Sequence, residues 1–196
     1  MSAPPKHRNA IIDAAIALFR KKGYAATGLN DIVAASGAPK GSLYYYFPKG
    51  KASIAEAAVT EAGERVVATI REVAAGSAGT AELLRKHAAL LAGWLAKSGF
   101  RDGCPITTVL LELAPGDRAV TVAGRKAYEA RIGCLTESLL AGGHTQPRAR
   151  ALATLCTSAI QGSLIQARVE RSKAPVLTTA DELATLLETV QPRRAS

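Results

Sequence analysis

LNDIVAASGAPKGSLYYYFPKGK, residues 29–51, is the stretch whose reading decides the fold. Leu29, Ile32, Val33 and Ser36 recur at helical spacing, which gives a first short helix one inward face. Ser36-Gly37 ends it, because glycine enters the left-handed cap conformation without the penalty of a Cβ. Pro39 suits the opening of the next helix, where a missing N–H is no loss. That second helix, about Lys40 to Phe47, has Leu43 and Phe47 one turn apart as anchors to a core. Its other positions are small, cationic or phenolic: Lys40, Gly41, Ser42, Tyr44, Tyr45 and Tyr46. So short a helix cannot bury three consecutive tyrosines, and some phenols must face outward. Phenol hydroxyls beside a lysine are donors that a phosphodiester backbone accepts from. The reading is a helix-turn-helix whose second helix enters a DNA major groove. On composition alone, an amphipathic hairpin with an aromatic-rich core edge stands beside it.

The order of residues carries a resemblance. Gly23-Tyr24, Thr27, Asp31-Ile32-Val33-Ala34, Ser36-Gly37, the run Lys40 to Phe47, and Lys51 resemble the DNA-binding domain of TetR-family transcriptional repressors, over about Lys6 to Lys51. Pro39 departs from the Ser or Thr frequent there, and Phe47-Pro48-Lys49-Gly50-Lys51 is one residue longer than the usual spacing. That spacing, with Gly103-Cys104-Pro105 and Leu111-Glu112, is similar to the LmrA/YxaF-like branch, whose members respond to small hydrophobic compounds. The resemblance implies a ligand-responsive repressor that binds a palindromic operator in double-stranded DNA as a homodimer. By position it places Lys40, Gly41 and Ser42 nearest the base edges, with Lys40 on guanine or a phosphate, and Tyr44, Tyr45 and Tyr46 on phosphates or thymine methyls. Thr27 and Lys51 match phosphate contacts of the family, and Lys6 and Arg8 form a loose basic arm.

Charge agrees with a polyanionic partner at that end. The net charge is +9, and residues 1–51 hold eight basic residues against Asp13 and Asp31. That end therefore carries two thirds of the excess. A solvated basic face would also hold it; its position beside the helix-turn-helix favours nucleic acid. Apolar content of 48% and 21% charged residues suit a folded soluble protein. The longest apolar run, Ala88 to Ala96, is far short of the roughly 20 residues that span a bilayer. Without a signal-peptide pattern, the expected place is the cytoplasm. Cys104, Cys134 and Cys156 are scattered, as are His7, His87 and His144. No disulfide framework, metal site or cofactor is expected.

The rest of the chain reads as helices separated by Gly, Pro or Ser breaks, with almost no strand signal. The expected fold is all-α, with a three-helix head at residues 1–51 and a larger helical effector-binding and dimerisation body at residues 52–196. In the head, about Lys6 to Lys22 presents Ile11, Ala15, Leu18 and Phe19 on one face. Thr27 is placed to cap the next helix, without a Glu or Gln to complete a capping box. In the body, helices are expected over about 52–75, interrupted by Gly63, and 80–98, with Leu84, Leu91, Trp94 and Leu95 inward. Further helices are expected over 104–113, 117–141, 148–171 and 180–190, before a basic tail. The segment ALATLCTSAIQGSLIQARVE, residues 151–170, is apolar enough to be packed from two sides. With the last helix it predicts a two-fold, four-helix interface between copies.

An effector pocket among the body helices would draw on Trp94, Phe100, Cys104, Thr107, Thr108, Tyr128 and Gln161, each of which also reads as plain core or surface. Enzyme function is not expected. No His-Glu-x-x-His, Gly-x-Ser-x-Gly or Gly-x-Gly-x-x-Gly occurs, and Glu112, expected to be buried, has no carboxylate partner for acid–base work. The rival to a DNA-binding regulator is an all-helical adaptor that docks protein partners without reading DNA sequence.

Overall fold

The computed structural model describes residues 5–190, with side chains from His7 onward. Among the described residues the chain is helical throughout: α1 Pro5–Lys22, α2 Leu29–Ser36, α3 Lys40–Tyr46, α4 Lys51–Ala75, α5 Thr80–Lys97, α6 Pro105–Leu113, α7 Arg118–Ala141, α8 Gln146–Glu170 and α9 Ala174–Thr189. Lys6, the expected arm's first cation, has its side chain outside the described part, as does the basic tail.

The helices form two compact units, residues 1–64 with 103–128, and residues 65–102 with 129–196. The first therefore reaches beyond residue 51 and takes in α6 and the start of α7. Its core is set by α1, where Ile11, Ala15 and Phe19 are fully enclosed. Ile32 of α2 and Leu43 of α3 are fully enclosed too, and Phe47 is 4% exposed. Burying each such large side chain contributes about 1.5–3 kcal/mol. This is how a seven-residue helix holds its place although it is too short to be stable alone.

Gly63 does not interrupt α4. A Cβ there would lie 2.7 Å from the Cβ of Ala127 on α7, so the absence of a side chain lets the two helices come this close. Gly37 ends α2 at φ 63°, in the left-handed region, with open space where a Cβ would be. Its requirement is conformational, as the sequence predicts.

In the second unit α5 packs on α8 and α9. Leu83, Leu84, Ala88, Leu152, Ala153, Cys156, Val176 and Ala180 fill its core. Arg85 of α5 fastens the edge, bonding Asp181 at 3.3 Å and Glu188 at 2.7 Å, both on α9. Two expectations need correction here. The last helix starts at Ala174, not near Ala180, because Pro175 lies in its first turn, where no N–H is needed. Trp94 is 44% exposed, not inward. On a 3.6-residue period it sits about 80° off the line through Leu84, Leu91 and Leu95, at the stripe's edge.

Candidate nucleic-acid interface

The turn between α2 and α3 is built locally. Ser36 Oγ donates to the Val33 carbonyl at 3.0 Å and accepts from the Ala38 N–H at 3.2 Å, and Ala38 is buried. Pro39 adopts φ −55° and ψ 139° and precedes the helix rather than beginning it. Leu43 and Phe47 then face the core. The opposite side presents Lys40 and Gly41 exposed, Tyr44 at 48% and Tyr45 at 56% exposure. Ser42 and Tyr46 are half-buried at the margin. The Tyr45 and Tyr46 rings meet edge to face at 5.0 Å, which orients both phenols. Arg8 lies over the Phe47 ring at 5.9 Å, so this cation of the expected arm is held at the end of α3. The face is cationic and phenolic, with backbone approachable at Gly41.

Residues 11–58 match the tetR family of bacterial regulatory proteins, and residues 80–182 match the C-terminal domain of LmrA/YxaF-like transcriptional regulators. The chain belongs to the TetR family of transcriptional regulators. An uncharacterized HTH-type transcriptional regulator of Mycobacterium tuberculosis is 33% identical over 193 residues, covering 96% of this chain and 97% of that protein. YxaF of Bacillus subtilis, also an uncharacterized HTH-type regulator, is 30% identical over 187 residues, covering 95% and 98%. The crystal structure of a TetR regulator from Chloroflexus aurantiacus aligns with a TM-score of 0.78 at 26% identity, covering 97% of this chain and 98% of that one. In this TetR-family regulator α2 and α3 are thus the helix-turn-helix of a DNA-binding protein.

Two residues expected on phosphates are turned inward. Thr27 is fully enclosed, and its hydroxyl donates to the Gly23 carbonyl at 2.7 Å. It neither caps α2 nor offers a hydroxyl to DNA. The N-cap is Gly28, whose N–H donates to the Asp31 carboxylate at 3.2 Å, so the shorter acid does what a Glu would do in a capping box. That bond, then Lys22 at 3.6 Å, holds the Asp31 carboxyl below the usual range. Lys51, half-buried, donates to the carbonyls of Tyr24 and Thr27 at 2.9 Å and of Ala25 at 3.4 Å. Its ammonium also lies 4.1 Å from the Tyr24 ring centroid. Its three protons staple the loop between α1 and α2.

Glu112 closes the same loop from α6, accepting from the N–H groups of Tyr24 at 2.7 Å and Ala25 at 2.6 Å. It is exposed rather than buried. Gly23 has φ 82°, and a Cβ there would come 2.5 Å from a Glu112 oxygen. Glycine therefore serves both the turn and the approach of the carboxylate. Local sequence gives no sign of this clamp, because its partners lie 87 and 88 residues apart.

The seven expected effector residues are divided between the two units. Cys104, Thr107, Thr108 and Tyr128 belong to the first unit; Trp94, Phe100 and Gln161 belong to the second. Cys104 precedes α6, and its carbonyl takes both the N–H and the hydroxyl of Thr108, each at 3.0 Å. Thr107 Oγ1 is buried with no hydrogen-bond partner. Tyr128 and Gln161 are half-buried. Phe100 packs against the second core and closes α5, with its N–H on the Leu95 carbonyl at 2.8 Å.

The second unit contains a cavity that none of these seven lines. Its polar members are His87 of α5, Arg131 of α7, and Cys156 and Thr157 of α8; its wall includes Ile70 of α4 and Ile160 of α8. Burial, then the charge of Arg131, pushes the His87 pKa down to about 4, so the ring is neutral at pH 7. Burial pushes the Cys156 thiol up to about 11, far from a reactive thiolate. Thr157 Oγ1 is buried without a partner, a defect that ordinarily costs about 1–3 kcal/mol. Among the described residues no cluster of three or more His, Cys, Asp or Glu could hold a metal ion, and no helix is long and apolar enough to cross a membrane.

Proposed function

We propose that this regulator is a ligand-responsive repressor that binds a palindromic operator as a homodimer and leaves it when a small hydrophobic effector binds the body. The observation that carries the DNA-reading part is the exposed face of α3, with Lys40, Tyr44 and Tyr45 outward over an anchor of buried Leu43 and Phe47. Lys40, Gly41 and Ser42 approach base edges; Tyr44, Tyr45 and Tyr46 hold phosphates or thymine methyls. Residues 1–51 serve as the DNA-binding domain and 52–196 as the effector and dimer domain. The protein works in the cytoplasm, where its operator is.

Pairing of copies is supported by α8. Ala151, Leu155, Ser158, Gly162, Ile165 and Val169 are all exposed and recur at alternating steps of four and three. That spacing forms one continuous seam along a helix. Gly162 has open space where a Cβ would be, which lets a second helix come close. A two-fold pair presents two recognition helices to half-sites about 34–36 Å apart.

For the switch, α4 is the connecting part. Its first residue, Lys51, staples the loop before α2, and Ile70 of the same helix lines the cavity. A ligand that displaces Ile70 therefore acts on the helix that holds that loop. It relieves repression only by preferring the displaced state.

The test is selection of bound fragments from sheared genomic DNA with the full-length protein, followed by titration of the recovered fragments. Recovery of inverted repeats with saturable, salt-sensitive binding supports the proposal. Weak binding that is equal for all fragments would favour the adaptor.

A further inference from the structure

The loop between α1 and α2 is held by two side chains that lie far from it in the chain. Lys51 takes the carbonyls of Tyr24, Ala25 and Thr27, and Glu112 takes the N–H groups of Tyr24 and Ala25, five backbone groups in all. One charge meets the acceptors of the loop and the opposite charge meets its donors. Glu112 stands on a fixed base: Ile106 and Val109 of α6 are buried, and just before that helix the Gly103 N–H donates to the Arg20 carbonyl at 2.7 Å. The loop runs directly into Gly28, the N-cap of α2. Its placement therefore sets where α2 begins. Helices of eight and seven residues, α2 and α3, are too short to hold a direction by themselves. Glu112 is also an exposed anion in the unit that carries the DNA-reading face. By charge alone it disfavours a polyanion.

We propose that Glu112 is a positioning residue for operator reading: its carboxylate fixes the loop that aims α2 and α3, so removing this negative charge weakens operator binding where electrostatics alone would strengthen it. Glu112 acts through the loop and not on the nucleic acid. Its two charge-assisted bonds to main-chain N–H groups order the loop before DNA arrives. With the loop released, only a fraction of molecules hold α3 in the reading pose, and operator affinity falls by that fraction. Binding to unrelated DNA runs through phosphates and needs no single pose, so it is spared. The part of the chain that reads DNA is thus not complete at residue 51; it needs α6, more than 50 residues further on. The inference rests on the DNA-reading proposal above and adds a residue from outside the helix-turn-helix to it.

The experiment is anisotropy titration of the full-length protein, at several salt concentrations, with a selected operator fragment and with a scrambled fragment of equal length. The proteins are wild type, Glu112→Gln, Glu112→Asp and Glu56→Gln. Gln keeps the size but has one acceptor atom where Glu has two, so one loop N–H loses its partner. Asp keeps the charge and, one methylene shorter, falls short of the loop. Glu56, an exposed carboxylate of α4 in the same unit, controls for charge. Glu56→Gln should bind both fragments at least as tightly as wild type. Both Glu112 variants should bind the operator about fivefold to tenfold more weakly, with the wild-type salt slope, and the scrambled fragment no more weakly than wild type. Should Glu112→Gln fail to fold, Glu112→Asp decides alone. Operator affinity at or above the wild-type value in the Glu112 variants, or equal weakening on both fragments, would overturn the proposal. The DNA-reading proposal fails separately, when wild type itself does not distinguish the two fragments.

Discussion

Lys51 directs its ammonium at three backbone carbonyls rather than at solvent, and this separates two roles it has by position. If it stapled the loop and also met a phosphate, Lys51→Ala would lower the salt slope of DNA binding by about 0.9. The inward geometry predicts instead an unchanged slope, with a loss of about 1.5–3 kcal/mol in denaturant unfolding for a charged hydrogen-bonded group. Parallel anisotropy titrations and urea curves check this. His87 gives a second prediction. Its pKa falls from 6.5 to about 4 on folding, so between those values the unfolded chain binds more protons than the folded one. Stability is therefore full above about pH 6.5 and is lost as pH falls toward 4, by roughly 3 kcal/mol at most. Replacing His87 with Leu should flatten that part of the stability curve; an unaltered pH profile would contradict the assignment. At this scale the sequence is a partial guide. Leu43 and Phe47 are legible because they are the only aliphatic and phenylalanyl side chains on a polar helix, one turn apart. Thr27, Lys51 and Glu112 are not, because their hydrogen bonds lie across the loop fold rather than along one helix face.

Elements are legible where an end carries a steric signal. Gly37 marks the end of α2 because its φ of 63° favours glycine, and Pro147 and Pro175 mark first turns. The same proline logic, read as a break, displaced the expected start of α9. Gly63 reads as a flaw in α4 and is instead a contact point with α7. It supplies a third prediction. Gly63→Ala puts a methyl against the Ala127 Cβ and, at 3.3 Å, its Cα, neither of which can swing away. It should cost about 1–3 kcal/mol, the range for overpacking. Gly124→Ala meets only the Leu110 side chain, with a nearest approach of 2.5 Å. Leu110 is half-buried and can rotate, so this change should cost less. Thermal unfolding of both variants settles the order, and an equal or reversed ranking would contradict a rigid α4–α7 contact.

For the whole molecule, α8 buries one side in the core of its unit and leaves the other at the surface. Ile165 is 53% and Val169 80% exposed. Changing both to Glu leaves the monomer core untouched but places charge along the seam. Sedimentation should show a dimer in wild type and a monomer in the variant, with unaltered circular dichroism; a variant that stays dimeric would place the pairing surface elsewhere. The cavity was beyond sequence reading, because His87, Arg131 and Thr157 come from three helices and share no spacing. DNA reading by α3 is the claim on which the rest stands, and the salt-dependent affinity of wild type, Lys40→Ala and Tyr45→Phe for a selected operator fragment measures it most directly. Expected are binding at least about fivefold weaker and less selective for the operator in Lys40→Ala, which loses a base-edge contact, and about fivefold to tenfold weaker binding for Tyr45→Phe, which loses one hydroxyl bond and keeps its ring. Wild-type affinity and selectivity in both variants would contradict it.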